Sequence, residues 1–422
     1  MDVKKFSALC VAAAMAATAC SSPGTSPSSS ASNSASASTG GGGGTAVTIG
    51  VDFPMSGGEA PNGVPAANGV KLAVKQIQVP GYTVTVNVLD DAVNGVHNPQ
   101  QGAKNITQLI NDPSVIGVVG PYNSNVAAAE IPLTNAAGLL QCSPANTSPT
   151  LTKPSYGALD LRKTNPTKIA YVRVATTDDI QGAAGADIAF NTVKAKKAFV
   201  VDDTETYGKG LADQFVKTFT QLGGTVIDGA SHGVGKAQQT DFTALLTQAK
   251  AANPDYVFFG GVTTTGGGLL RKQMVTQGMG SIPFGGGDGI VDGSAATSGS
   301  FLNVAGDQGD ADTYGTVAAT HDIPDPAGFA NMYKAEYNKD PGSYSAASYA
   351  CTQVILAALK AVGNDRAKIR AYIADPSHTW DTVLGKFHFD ENGDTSQHII
   401  SDYKFDPTTK DWKFFQQKDF GS

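Results

Sequence analysis

Reactive side chains are scarce in this chain. Of 422 residues, 4 are cysteine, 6 are histidine and 2 are tryptophan. The histidines, His97, His232, His321, His378, His388 and His398, are scattered, and neither His-Glu-x-x-His nor Cys-x-x-Cys occurs, so the spacings of common zinc sites are missing. No metal is expected. No Gly-x-Ser-x-Gly elbow falls on a strand-to-helix turn, and Gly233-Val234-Gly235-Lys236-Ala237 lacks both the leading glycine and the Ser/Thr of a P-loop. The glycine clusters at 266–268 and 285–287 open no dinucleotide fingerprint and read as turns or close-approach backbone. These absences argue against an enzyme and against any cofactor. Charge of one sign is also short: 30 Lys+Arg face 37 Asp+Glu, a formal −7, with no basic run beyond 194–197, so nucleic-acid binding has no electrostatic basis. After the first twenty residues no stretch reads as apolar enough to span a membrane.

What is present begins with an export pattern. Lys4 and Lys5 precede an apolar stretch over 6–17, too short for the roughly 30 Å of a bilayer core. Residues 1–19 therefore read as a signal peptide. Ala17-Thr18-Ala19-Cys20 resembles a lipoprotein signal-peptidase box, although Ala17 stands where that pattern prefers Leu. Cys20 is the expected lipidation site, with simple secretion as the alternative. Residues 20–44 are almost wholly Ser, Ala, Pro, Thr and Gly, and cannot bury enough apolar surface to offset ordering entropy. As a flexible tether they reach about 25 to 30 Å.

The rest of the chain is long enough for two lobes. Strand patterns at 45–52, 83–90 and 115–119 alternate with helix patterns at 69–78, 99–111 and 127–137. A second series follows, with strands at 198–202, 225–228, 256–259 and 283–285 and helices at 181–193, 209–222, 242–252 and 269–277. Such alternation predicts mostly parallel sheets flanked by helices, an α/β fold. Asp390-Glu391-Asn392-Gly393-Asp394 looks superficially like a calcium loop, but it lacks the EF-hand ligand spacing and flanking helices. It reads as a hairpin turn between strand-like 386–389 and 398–405.

The segment 115–152 is the most informative. A β-branched run is stopped by Gly120-Pro121, and Tyr122-Asn123-Ser124-Asn125 follows. The scheme then repeats, with a short strand at 139–141 and the loop Ser143-Pro144-Ala145-Asn146-Thr147. Loops at the carboxyl ends of strands line the ligand crevice of open α/β sheets. Together with Met55-Ser56-Gly57, Gly69-Val70-Lys71-Leu72-Ala73, Asp90-Asp91, Asn98-Pro99, Tyr207-Gly208-Lys209-Gly210 and 387–394, this segment resembles the branched-chain amino-acid (leucine/isoleucine/valine) binding family. That family comprises extracytoplasmic solute-binding proteins of ABC transporters, and the likeness extends from Val47 to the C-terminus.

The resemblance implies a two-lobed, type I periplasmic-binding fold with three hinge crossings. Lobe 1 would be 45–172 plus 319–387, and lobe 2 would be 173–318 plus 388–422. It places Ser124, Asn123, Ala145, Asn146 and Thr147 at a ligand carboxylate and ammonium, Tyr207 as the ring closing over the ligand, and Asp288 against the ammonium. Asp288 is one methylene shorter than the Glu common there. Asn62 and Val262 stand where aromatic walls are usual, so the ligand's identity does not carry over. Taken alone, Ser124 or Thr147 reads as an ordinary cap or turn residue. Cys142 and Cys351, both assigned to lobe 1, are either a disulfide or two buried thiols.

The expected function is a monomeric, lipid-anchored binder on the outer face of a bacterial cytoplasmic membrane. It would capture an amino acid or related small polar metabolite and deliver it to ABC permease and ATPase subunits. A sensory receptor of the same fold, binding an amide or other uncharged metabolite, is the alternative.

Overall fold

The computed structural model describes residues 44–227, 232–233 and 240–421. The expected signal segment, Cys20 and the tether up to residue 43 lie outside the described residues. In chain order the first part supplies β1 (Thr45–Phe53), α1 (Ala60–Gln76), β2 (Tyr82–Asp90), the hairpin β3 (Ala92–Val93) and β4 (Val96–His97), α2 (Pro99–Asn111) and β5 (Val115–Val119). Helix α3 (Ser124–Ala137), β6 (Gln141–Ser143) and β7 (Tyr171–Arg173) follow. The first sheet is wholly parallel, in the order β2-β1-β5-β6-β7. Every residue of β5 is buried, as a β-branched strand covered on both faces should be.

The next part supplies α4 (Asp178–Asp187), β8 (Lys197–Asp202), α5 (Thr206–Gln221), β9 (Thr225–Val226), β10 (His232–Gly233), α6 (Thr243–Ala252) and β11 (Tyr256–Gly260). It continues with α7 (Gly267–Met274), β12 (Phe284–Gly286), α8 (Phe301–Ala305) and β13 (Thr313–Val317). The second sheet runs β10-β8-β11-β12-β13 in parallel, with β9 also on β8. Past α9 (Pro326–Tyr337), α10 (Ser345–Val362), α11 (Arg366–Ile373) and the small ladder β14 (Trp380–Thr382) and β15 (Gly385–Phe387), the chain returns to this sheet. The antiparallel hairpin β16 (Ile399–Asp406) and β17 (Asp411–Asp419) closes it beside β13.

Helices α9, α10 and α11 pack with the first sheet, not the second: α10 lies along α1 and touches β5. A Cβ on Gly69 of α1 would sit 2.2 Å from the Ser345 carbonyl oxygen, so glycine is what lets the two helices touch. Cys142 on β6 and Cys351 in α10 form a disulfide with Cα atoms 5.6 Å apart, closing a separation of 209 residues. Three chain passages between the sheets meet at one place. Thr176 donates its N–H to the Ala318 carbonyl and its hydroxyl to that of Ile399 (3.0 and 2.8 Å), and Ser401 Oγ donates to Ala319 (2.8 Å). Beside them the fully buried Arg173 donates from Nε to Asp394 Oδ1 at 2.7 Å.

Several elements differ from the sequence reading. Helix α1 begins at Ala60, not near 69, because Pro61 occupies its first turn, where the missing N–H has no intrahelical partner to lose. The strand expected at 139–141 lies at Gln141–Ser143, moving Ser143 from loop to ladder opposite Arg173. The turn at 390–394 is present, with Asp390 N–H bonded to Asp394 O, yet it closes only a bridge between Phe389 and Thr395. The strand before it pairs backward with Trp380–Thr382, and the strand after it pairs with β13 and β17. Helix α10, at 18 residues, is long and apolar enough to cross a bilayer by length and composition, contrary to the sequence reading. Its apolar length is used inside the protein: Val354, Ile355, Leu356 and Leu359 are buried.

Candidate functional site

Two loops at the carboxyl ends of β5 and β6 form one wall of a cleft. Asn123 precedes α3 without capping it, Ser124 opens the helix, and Asn125 Oδ1 accepts from the Val126 N–H (2.9 Å), leaving the first N–H groups and the positive end of the helix at the cleft. The second loop is built onto the first. Ser143 Oγ donates to Pro121 O (2.8 Å) and accepts from the N–H groups of Ala145 and Asn146 (3.3 and 3.0 Å). Asn146 is fully buried, its amide bonded to Tyr122 O (2.7 Å) and its carbonyl to the Tyr171 hydroxyl (2.8 Å). Arg173 donates to Ser148 O at 2.7 Å, so its pairing with Asp394 also fixes this loop.

The opposite wall comes from the second sheet. Tyr207, in the first turn of α5, donates its hydroxyl to Asp288 Oδ1 (3.0 Å) and accepts from the Gly289 N–H (3.2 Å). Gln181 Nε2 donates to the same Oδ1 at 2.7 Å and also to Thr316 O. Asp288 is only 7 % exposed and no Lys, Arg or His among the described residues pairs with it. Burial raises its pKa, opposed by the hydrogen bonds from Gln181 and Tyr207. The site is a desolvated carboxylate with donors but no countercation.

A second charged pole lines the same cleft. In the β3–β4 hairpin, Asn94 and Gly95 have φ of 54° and 83°, the left-handed pair of a tight two-residue turn. The hairpin delivers His97 between two carboxylates: Nδ1 lies 2.6 Å from Glu59 Oε1 and Nε2 lies 2.7 Å from Glu205 Oε2. Glu59 precedes α1, whereas Glu205 precedes α5 on the facing wall, so the imidazole bridges the walls. Asn125 Nδ2 adds 2.9 Å to Glu205 and Thr264 Oγ1 adds 2.6 Å to Glu59. Burial works against the imidazolium, but Glu59 and Glu205 outweigh it and hold the His97 pKa well above its ordinary value. Burial and Glu205 push Asp203, next to this pole, up to about 7.

Of the residues expected to touch a ligand, Ser124, Asn123, Ala145, Thr147, Tyr207, Asp288 and Val262 line this cleft. Asn146 does not: its side chain is consumed in bracing the two loops. Asn62 does not either. It faces an adjoining groove of about 1170 Å³, beyond the edge-to-face rings of Tyr122 and Tyr344 (5.7 Å), and it meets the Tyr122 hydroxyl at 3.4 Å. Sequence reasoning read the loop that carries Tyr122 and Asn125 without singling them out, and missed His97, Asp203 and Glu205. An Asn-Gly turn two residues before His97, and two aspartates ending a buried strand at 202–203, were the available signals. The cleft itself is narrow, about 20 Å³, roughly the room of one water.

Comparison with known proteins fits this geometry. The model of the periplasmic binding protein family matches residues 46–404. An amino acid binding protein of Pseudomonas aeruginosa is 31% identical over 367 residues, 85% of this chain and 88% of that protein. The Leu/Ile/Val-binding protein homolog 1 of Brucella abortus is 30% identical over 358 residues, 82% and 87% of the two chains. The crystal structure of the leucine binding protein LivK from Thermotoga maritima superposes with a TM-score of 0.73 at 25% identity, covering 88% of this chain and 98% of that one. The chain belongs to the periplasmic binding protein family, with the type I fold, and is a binding protein rather than an enzyme.

Proposed function

We propose that this protein captures an α-amino acid between its two lobes and delivers it to an ABC permease. The observation that carries the reading is the opposition across the cleft of Asp288, a buried carboxylate with no cationic partner among the described residues, and the first turn of α3 with Ser124. A zwitterion answers both walls: its ammonium supplies the countercharge that Asp288 lacks, and its carboxylate meets the helix end and hydroxyls. Ala145 and Thr147 extend the carboxylate wall, while Tyr207 and Val262 cover the ligand. A cleft of about 20 Å³ cannot admit an amino acid without the lobes parting. The natural axis is the junction at Thr176, Ala318 and Ile399. Ligand contacts to both walls then favour the closed state by differential affinity.

In this reading the lobes are 45–172 plus 319–387 and 173–318 plus 388–422. The protein acts as a monomer tethered by lipidated Cys20 on the outer face of the cytoplasmic membrane, where permease and ATPase subunits take the solute. Calorimetric titration with amino acids and their deaminated analogues tests the ligand class. Micromolar or tighter binding of an amino acid, lost when the amino group is removed, is the expected result, and equal binding of the deaminated analogue would overturn it. Replacing Cys20 with Ala should move the protein from the membrane fraction to the soluble fraction, and wild type already soluble would contradict the anchor.

A further inference from the structure

We infer that the second pole of the cleft selects amino acids whose side chain ends in a hydrogen-bond donor, an ammonium or an amide, against aliphatic and acidic side chains. The inference rests on the amino-acid reading of the cleft and concerns only the far end of the ligand. Three carboxylates line this small space, Asp288, Asp203 and Glu205, and the only basic group is His97. His97 is already bonded on both nitrogens, to Glu59 and Glu205, so one imidazolium faces two carboxylates. That end keeps an excess of negative charge even before Asp203 ionises.

The acceptors there are incompletely used. Glu205 Oε2 receives His97 and Asn125, while Oε1 receives nothing from the described residues and the side chain is 18% exposed. Independently, Asn123, 8% exposed on the same cleft, has its Oδ1 buried without a hydrogen-bond partner. An unmade bond at a buried acceptor is unfavourable, and a donor on the ligand satisfies it. An aliphatic side chain would bury these acceptors unpaired, and a carboxylate would face like charge. Apolar lining is confined to Val262, Ala145 and the tyrosine rings.

The test is calorimetry on the full-length protein with a fixed panel: alanine as a ligand too short to reach the pole, leucine and valine as aliphatic, glutamate as acidic, and glutamine, ornithine and lysine as donor-ended. At least one donor-ended ligand should bind tenfold or more tighter than leucine, and the ammonium and amide arms show which donor is preferred. Glu205→Gln should cut the ratio of donor-ended to alanine affinity by tenfold or more. Thermal melts of the variant identify any loss of fold, and Asn125→Ala provides a second, milder perturbation of the same pole. Leucine or valine binding tightest in wild type, or equal losses for alanine and the donor-ended ligand in Glu205→Gln, overturns the inference and leaves the amino-acid reading standing. Amino acids binding no better than deaminated analogues removes that reading itself.

Discussion

Replacing Asp288 with Asn keeps the volume and removes the charge. Oδ1 of Asp288 is held by Gln181 and Tyr207 at 2.7 and 3.0 Å, and the Asn carbonyl can accept the same two donors, so the apo cleft should keep its shape. Its amide would then turn an N–H₂ group toward the position proposed for the ligand ammonium, donor against donor. A buried charge left without its partner weakens association by about 2 to 5 kcal/mol. At about 1.4 kcal/mol per tenfold, this is a loss of about 30-fold to a few thousandfold in Kd. The loss must be specific to the amino group. Because burial disfavours the Asp288 carboxylate in the apo protein, neutralising it should not lower Tm in the absence of ligand. Isothermal titration of wild type and variant with one amino acid and its deaminated analogue forms a double cycle. The reasoning is refuted if the variant binds the amino acid as tightly as wild type, or loses the analogue to the same degree.

The remaining predictions concern the frame. Non-reducing peptide mapping should find Cys142 and Cys351 in one cross-linked pair, and Cys351→Ser should lower stability by up to about 5 kcal/mol in the chain-entropy account for a closure of 209 residues; two alkylatable thiols in unreduced protein would contradict it. Asp394→Ala leaves Arg173 buried and unpaired, so denaturant melts should show a loss of about 3 to 5 kcal/mol, with a small effect contradicting the hinge role. Stability should fall as pH rises from 5 to 8. Burial holds Asp52, Asp203 and Asp292 at about 7, so the unfolded chain ionises first and the folded state loses ground until those carboxyls ionise too. The raised His97 acts in the same direction, its contribution complete below 6.5 and lost as pH climbs through its folded value. Melts giving a flat or rising Tm over that range would contradict this.

Legibility followed the range of the interaction. Helix α2 could be read to the residue because its signals are local: Asn98 accepts from the Gln101 N–H as cap and Pro99 opens the first turn. The run at Val115–Val119 is equally self-contained. The loops at 122–125 and 143–147 were legible as cleft-lining, since strand-end loops edge the crevice of an open α/β sheet. The partners of Asp288 were not, because Gln181 lies 107 residues away and Tyr207 lies 81 away, and only the packed sheets bring them together. His97 was overlooked for the opposite reason. Its hairpin is written plainly as Val93-Asn94-Gly95-Val96, but a histidine without ligand spacing shows no role until Glu59 and Glu205 close on it from two walls. Asn146 misled because its neighbours do line the cleft, and which loop side chains turn inward depends on contacts such as Tyr171 that sequence order does not reveal.

The measurement that bears most directly on the central claim is native mass spectrometry of the full-length protein, purified gently and without added solutes, followed by release and identification of what it carries. The account predicts one small molecule per chain, with a primary amine and a carboxylate, lost from the Asp288→Asn variant. A released molecule with no amine, retained equally by that variant, would contradict it.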